Sequence, residues 1–271
     1  MPELPEVETT RRGLAPWVID RRVEKVIVRE RRLRWPVPRG LARRLAGRRI
    51  RGLGRRGKYL LFHIDGGTLI VHLGMSGSLY LVPADTPAGP TEHLDLVLDD
   101  GRALRLRDPR RFGAVLWTGA DPGRHPRLAG LGPEPLEAAF DGDYVWRHTR
   151  GRRTAIKNWL MDAGQVAGVG NIYASEALFR AGIRPGRAAG RLTRAECDRL
   201  ARTVKAVLRE ALRAGGTTLR DFLGGDGRPG YFRQRLFVYG RAGAPCRRCA
   251  TPVRRRRIGQ RSSFYCPRCQ K

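Results

Sequence analysis

Four cysteines near the C-terminus constrain this chain more than any other feature. Cys246-x2-Cys249 is followed, after sixteen residues, by Cys266-x2-Cys269. Two CxxC knuckles at this separation match the zinc-ribbon template. Zn²⁺ takes four ligands tetrahedrally, and each knuckle supplies two thiolates. A tail the length of residues 241–271 has too little apolar surface to hold itself together, so bound metal would stabilise it. Two disulfides would use the same four cysteines. However, the start Met-Pro-Glu lacks the basic and apolar regions of a secretory signal, so a cytoplasmic setting is expected, which argues against disulfides. With four sulfur ligands the site has no open position, so the single expected zinc ion is structural rather than catalytic. Cys197 stands apart in a helical pattern and reads as an ordinary helix residue.

Between the knuckles lie Arg254 to Arg257 and Arg261, a basic hairpin suited to presenting cations to phosphate. The whole chain shares this character, with 54 Lys+Arg against 25 Asp+Glu and a net charge of +29. Such a balance points to a polyanion partner, of which nucleic acid is the commonest. A bias toward arginine inflates the charge, and only Lys25, Lys58, Lys157, Lys205 and Lys271 are lysines. Each lysine is therefore informative, because lysine can give up its proton where its surroundings lower the pKa and arginine effectively cannot. A hydrophobic content of 41% over 271 residues is enough for folded domains and excludes wholesale disorder. No apolar run approaches the ~18–20 residues of a membrane span, and no membrane partner is expected.

Residues 20–120 read mostly as strands. Residues 58–64 and 68–73 flank Asp65-Gly66-Gly67, and residues 94–98 and 103–107 flank Asp99-Asp100-Gly101, two hairpin signals. The alternation at 103–107 predicts a sheet with one face in solvent. Residues 3–14 suit a short helix. Leu131-Gly132-Pro133-Glu134-Pro135-Leu136 reads as a linker. Beyond it, 154–162, 171–181 and 193–213 carry helical spacing, with Gly168-Val169-Gly170 between the first two. The expected fold class is α+β multidomain, divided as 1–133, 134–240 and 241–271.

The N-terminus reads as a reagent. Removal of Met1 would leave Pro2 as a free secondary amine, which can attack a carbonyl-like carbon and form an iminium. An α-amino group titrates near pH ~8, so part of it is neutral at neutral pH. Glu3 adjoins it as an acid, and Glu6 is expected on the same helical face. The bland alternative is that Pro2 and Pro5 merely shape the chain start. MPELPEVE at the start, RRGKYLLF at 55–62, HLGMSGSL at 72–79 and DPRRFGA at 108–114 occur in one order. LGPEPL at 131–136, TAIK at 154–157, GVGNIYASEALF at 168–179 and GGTTLRDF at 215–222 follow, and then the CxxC ribbon. Together they resemble the bacterial formamidopyrimidine-DNA glycosylase family over the whole chain. The related endonuclease VIII type also begins with Pro and Glu, but MSGSL with PRRFG favours the 8-oxoguanine branch.

The resemblance implies an N-terminal β-sandwich with its own first helix, a helix–two-turn–helix domain and a zinc ribbon. It implies a bifunctional glycosylase and AP lyase in base-excision repair, acting as a monomer on double-stranded DNA that contains oxidised purines. Pro2 would attack C1′ of the damaged nucleotide, and Glu3 would donate a proton to open the sugar. The family assigns Lys58 to β-elimination and Arg261 to δ-elimination. Because an arginine is a poor acid, Arg261 is expected to hold the phosphate and stabilise its leaving charge. Chemistry on a base needs the nucleotide out of the stack, and Met75, Arg110 and Phe112 would fill the gap. Asn171, at a helix start, suits an anion. Arg152, Lys157, His72 and Tyr239 are weaker candidates for phosphate contacts. Arg220 opens a Gly-rich stretch to Phe232 that resembles the loop covering the everted base. Thr91 and His93 are further expected DNA contacts; Thr91 stands where family members often carry His, so only His93 remains and the phosphate contact there is expected to shift or weaken, while position 220 is Arg where some members have Lys. Oxidised pyrimidines as substrate, or a zinc-ribbon DNA-binding protein without catalysis, are the alternatives.

Overall fold

A computed structural model describes residues 2–215 and 236–271. The chain divides into two compact units, one running to Ala129 and the other built on Gly130–Arg213 and the C-terminal stretch ending at Lys271. Among the described residues, no helix is long and apolar enough to cross a membrane.

In the first unit, α1 (Leu4–Val18) precedes β1 (Val23–Val28) and a short α2 (Leu41–Leu45). Then come β2 (Ile50–Arg56), β3 (Tyr59–Ile64), β4 (Gly67–His72), β5 (Ser78–Pro83), β6 (Glu92–Leu98), β7 (Arg102–Arg107) and β8 (Ala114–Thr118). They form two four-stranded antiparallel sheets, ordered β1-β6-β7-β5 and β2-β3-β4-β8. Leu96, Leu104 and Leu106 of one sheet and Phe62, Leu69 and Val115 of the other share one buried cluster, the interior of a sandwich. Val7, Leu14 and Val18 of α1 join that cluster. Burying each is worth about 1.5–3 kcal/mol, which anchors the helix that carries the chain start. The helix extends beyond the expected 3–14 and includes Pro16 in its last turn.

Both predicted hairpins form, between β3 and β4 and between β6 and β7. The expectation of a solvated face at 103–107 does not hold. Leu104 and Leu106 do face the core, but Arg105 on the other face is only 1% exposed. Its guanidinium donates to Asp95 at 2.9 and 3.0 Å and to the carbonyls of Thr86 and Pro87, so the 86–87 segment covers that face. A buried charge is tolerated there because it is paired and its donors are satisfied.

The second unit contains α3 (Gly142–Thr149), α4 (Ile156–Met161), α5 (Asn171–Ala181), α6 (Arg194–Arg213) and the hairpin of β9 (Arg254–Ile258) and β10 (Arg261–Tyr265). Helix α6 packs against both α3 and α5. Gly182 ends α5 in the left-handed conformation that a C-cap favours. The ribbon shares a core with α5, since Phe179 packs with Val238, Val253, Cys246 and Cys266. Gln270, fully buried, donates to the Ile183 carbonyl at 2.8 Å and accepts from the Cys266 N–H at 2.8 Å, fastening the second knuckle to the end of α5.

Candidate functional sites

In the first unit the candidate reagent sits at the start of α1. Pro2 is buried and Glu3 is 1% exposed. Glu3 is the N-cap of the helix and forms a reciprocal capping box with Glu6, whose Oε2 accepts the Glu3 N–H at 2.9 Å. The box fixes the backbone of the residue that follows Pro2 and satisfies donors that a helix start leaves free. Glu6 is fully buried, so the structure places it as a support for Glu3.

Lys58 lies in the two-residue turn between β2 and β3, after Gly57 at φ +55°. Such a turn needs positive φ, which glycine supplies at no steric cost. Glu8 of α1 ties the helix to this hairpin through Arg55, which donates to the Glu8 carboxylate at 3.2 Å and to the Gly57 carbonyl at 2.8 Å. Burial alone would raise the Glu8 carboxyl, but hydrogen bonds from Arg11 and Arg12 and the charges of Arg11 and Arg55 hold it at about 2. His72, at the end of β4, lies against Tyr59 with ring centroids 4.7 Å apart. Its Nδ1 accepts the Gly74 N–H at 3.0 Å, which leaves Nε2 as the donor of a neutral ring. Burial, with the charges of Lys58 and Arg34, pushes His72 down to about 4.

Two neighbouring turns carry Met75, Arg110 and Phe112. Met75 is half-buried in the turn 74–76; Arg110 is exposed and Phe112 is 44% exposed, and the Arg110 guanidinium lies 4.7 Å from the Phe112 ring centroid. The turns touch through backbone. Gly74 has φ +62°, and a Cβ there would fall 2.4 Å from main-chain atoms of Phe112 and Gly113. Thr91 is half-buried, with its hydroxyl accepting from Arg107 at 3.3 Å. His93 differs from its expected role. It is 5% exposed with Nε2 2.8 Å from the Asp108 carbonyl, so it braces the loop from inside rather than facing a ligand.

In the second unit, three sequence candidates converge on β10. Arg261 is exposed at the first position of that strand, after the turn Gly259-Gln260. The next residue, Ser262, offers its carbonyl to the Lys157 ammonium at 3.1 Å and to the Asn171 amide at 3.1 Å. Lys157 also donates to the Ser263 hydroxyl at 2.5 Å. It is fully buried, so the structure corrects its reading as a phosphate contact: it holds the hairpin that presents Arg261. Asn171 opens α5 after Gly170. Tyr239 is half-buried with its ring edge-on to Phe264 at 5.1 Å. Arg152 is exposed. Arg220 and the stretch to Phe232 lie outside the described residues.

The four cysteine sulfurs lie within 4.8 Å of one another, with the Cys246–Cys269, Cys249–Cys266 and Cys249–Cys269 pairs at 3.9, 3.5 and 3.4 Å. Tetrahedral Zn–S bonds of about 2.3 Å require sulfurs roughly 3.8 Å apart, whereas a disulfide needs about 2.05 Å. Burial, followed by the crowding of Cys249, Cys266 and Cys246, pushes the Cys269 thiol up to about 12. Sulfurs gathered this closely ionise together only around a cation, so the donor set fits zinc.

Three family models match the chain in order. They are the formamidopyrimidine-DNA glycosylase N-terminal domain over residues 1–115, its H2TH domain over 131–223, and a zinc finger found in FPG and IleRS over 243–271. The chain belongs to the formamidopyrimidine-DNA glycosylase family. It is 62% identical over 271 residues to a formamidopyrimidine-DNA glycosylase of Thioalkalivibrio sulfidiphilus, covering all of both chains. Its fold matches the MutM (Fpg) protein of Thermus thermophilus at TM-score 0.89 and 43% identity, over 99% of this chain and 98% of that one. It matches Lactococcus lactis Fpg in complex with DNA containing an abasic site at TM-score 0.91 and 32% identity, over 99% of each.

As in other formamidopyrimidine-DNA glycosylases, the cysteine cluster is a site for one structural zinc ion. Two supports of this family member escaped the sequence reading. Asp108, fully buried, opens the DPRRFGA run, where nothing local sets it apart from a solvated loop carboxylate. Glu176 is the only carboxylate in α5, and that was a usable signal. It is 2% exposed and accepts the N–H groups of Phe237, Val238 and Tyr239 at 2.8, 2.9 and 2.9 Å.

Proposed function

We propose that this protein excises oxidised purines, 8-oxoguanine and formamidopyrimidines, from duplex DNA and then cleaves the abasic strand. The observation that carries this reading is the N-terminal turn, where Pro2 directly precedes a buried Glu3 locked by Glu6. Once Met1 is removed, the Pro2 nitrogen is a secondary amine whose lone pair forms a bond to C1′ as the bond from C1′ to the base breaks; the base leaves with its electron pair and takes up a proton. Glu3 gives its proton to the sugar O4′, the ring opens, and the nitrogen becomes an iminium. The iminium draws electrons from the C2′–H bond, so a base removes that proton and the 3′-phosphate departs from C3′. The same electron flow through the extended iminium then releases the 5′-phosphate.

Lys58 acts on the proton transfers of β-elimination, and the exposed guanidinium of Arg261 stabilises the departing phosphate. A neutral His72 with Nε2–H as donor suits a phosphate oxygen, as do Asn171, Arg152, Tyr239 and Arg220. Met75, Arg110 and Phe112 fill the space left by the everted nucleotide, with Phe112 as the apolar wedge. Zinc stiffens the ribbon that presents Arg261 and takes no part in the bond changes. The working divisions are 1–133 for chemistry and eversion, 134–240 for DNA grip and 241–271 for the finger, in a cytoplasmic monomer.

The test is borohydride trapping on a duplex with 8-oxoguanine opposite cytosine, using zinc-loaded protein from which Met1 has been removed. A covalent adduct mapping to Pro2, absent from protein with an N-terminal extension, is the expected result. No adduct, with DNA binding intact, would overturn the lyase reading in favour of a binding protein without catalysis.

A further inference from the structure

The three side chains proposed to fill the vacated base site come from two separate turns, and one buried carboxylate joins them. Asp108 is fully buried. Its Oδ1 accepts the Ser76 hydroxyl at 3.0 Å, next to Met75, and its Oδ2 accepts the Gly113 N–H at 2.7 Å, next to Phe112. Its main-chain carbonyl accepts the Arg111 N–H at 3.0 Å and lies 2.8 Å from His93 Nε2, while its own N–H donates to the Thr91 carbonyl at 2.9 Å. One residue thus gathers the turns 74–76 and 110–113 and the start of β6.

The β4–β8 ladder ends beside these turns, with His72 paired to Ala114, and the Arg34 N–H donates to the Gly113 carbonyl at 3.1 Å. Phe112 is 44% exposed, and the exposed Arg110 lays its guanidinium over the Phe112 ring. Their positions follow from their backbones. Those backbones are in van der Waals contact at Gly74, where any Cβ would collide with Phe112 and Gly113. The ladder sets the two strands side by side but stops at His72 and Ala114, so the turns beyond it need a tie of their own. The two carboxylate oxygens of Asp108, each bonded to a different turn, provide it.

The geometry points to Asp108 as the positioning residue that makes Met75, Arg110 and Phe112 a single rigid wedge, so that eversion of the damaged nucleotide, and not the bond changes at C1′, depends on it. This rests on the proposed void-filling role of those three residues. A residue that acts through the wedge slows excision of a stacked base and spares a substrate from which no base has to be everted. Asparagine is the discriminating conservative change. Its oxygen can accept from Gly113, and its amide can donate to Ser76, whose hydroxyl serves equally well as acceptor.

The experiment compares single-turnover excision from an 8-oxoguanine·cytosine duplex with borohydride trapping on a single-stranded abasic oligonucleotide, using full-length zinc-loaded protein. Asp108→Ala is expected to slow duplex excision at least about tenfold, the effect of orphaning buried donors, and to leave abasic trapping within about twofold. Asp108→Asn is expected to recover most of the loss. Added to Phe112→Ala, Asp108→Ala is expected to cost no more than a further twofold or so, because both act through one element. Equal slowing on both substrates, or a full additional factor on the Phe112→Ala background, would overturn the inference. If Asp108→Ala does not fold, Ser76→Ala, which removes one arm of the tie, faces the same two criteria. If Phe112→Ala and Met75→Ala leave the ratio of the two substrates unchanged, the wedge reading itself fails. If they lower that ratio and Asp108→Ala does not, only the positioning role fails.

Discussion

Glu176→Gln keeps the shape of a buried side chain and changes what it can accept. In the native chain one oxygen takes the N–H groups of Val238 and Tyr239, and the other takes that of Phe237. In the glutamine variant the amide oxygen can still serve Val238 and Tyr239, but the NH₂ then faces the Phe237 N–H, donor to donor. One buried donor is orphaned, at about 1–3 kcal/mol, and two charge-assisted bonds become neutral ones, at roughly 1 kcal/mol each. Burying an amide instead of a carboxylate returns part of this, so a net loss of about 2–4 kcal/mol is expected. The loss falls on the ribbon, because Val238 packs with Cys246, Cys266 and Phe179. Urea unfolding of the zinc-loaded protein measures the stability, and capture of the released metal by a chromophoric chelator reports where the loss falls. Faster zinc release together with a lower unfolding midpoint is the expected result. A stability change under about 0.5 kcal/mol, or unchanged zinc release, would refute the idea that Glu176 anchors the segment 237–239.

Two further outcomes follow from the first unit. His72 is held at about 4 by burial and by Lys58 and Arg34. The unfolded chain takes up this proton near pH ~6.5 and the folded chain only near 4, so the group's contribution to stability is complete above about pH 6.5 and is lost as pH falls toward 4. A histidine NMR titration with a His72 midpoint above 6 would contradict this placement. Gly74→Ala puts a Cβ 2.4 Å from the backbone of Phe112 and Gly113 at φ +62°, so a stability loss of about 2 kcal/mol or more is expected in thermal melts. An unchanged melting temperature would mean that the two turns are not pressed together.

Local chemistry in the sequence was sufficient for the parts of this protein whose physics is local. The cysteine spacing predicts two thiolate pairs for one ion, because each CxxC turn closes on itself, and the four sulfurs do gather within 4.8 Å of one another. The glycine-bearing turns between β3 and β4 and between β6 and β7, and the helical span 171–181, were legible for the same reason. What tertiary structure decided is burial, which depends on what packs over a side chain from far along the chain. Arg105, His93 and Lys157 all read as exposed or ligand-facing in their own segments. Residues 86–87, 108 and 262–263, respectively, cover or bind them, turning a solvated cation, a phosphate ligand and a second phosphate ligand into internal braces. Asp108 and Glu176 show the converse. A carboxylate beside arginines, or alone in an apolar helix, acquires a role only when folding brings it the N–H groups of a distant turn, and buried donors of that kind need an acceptor.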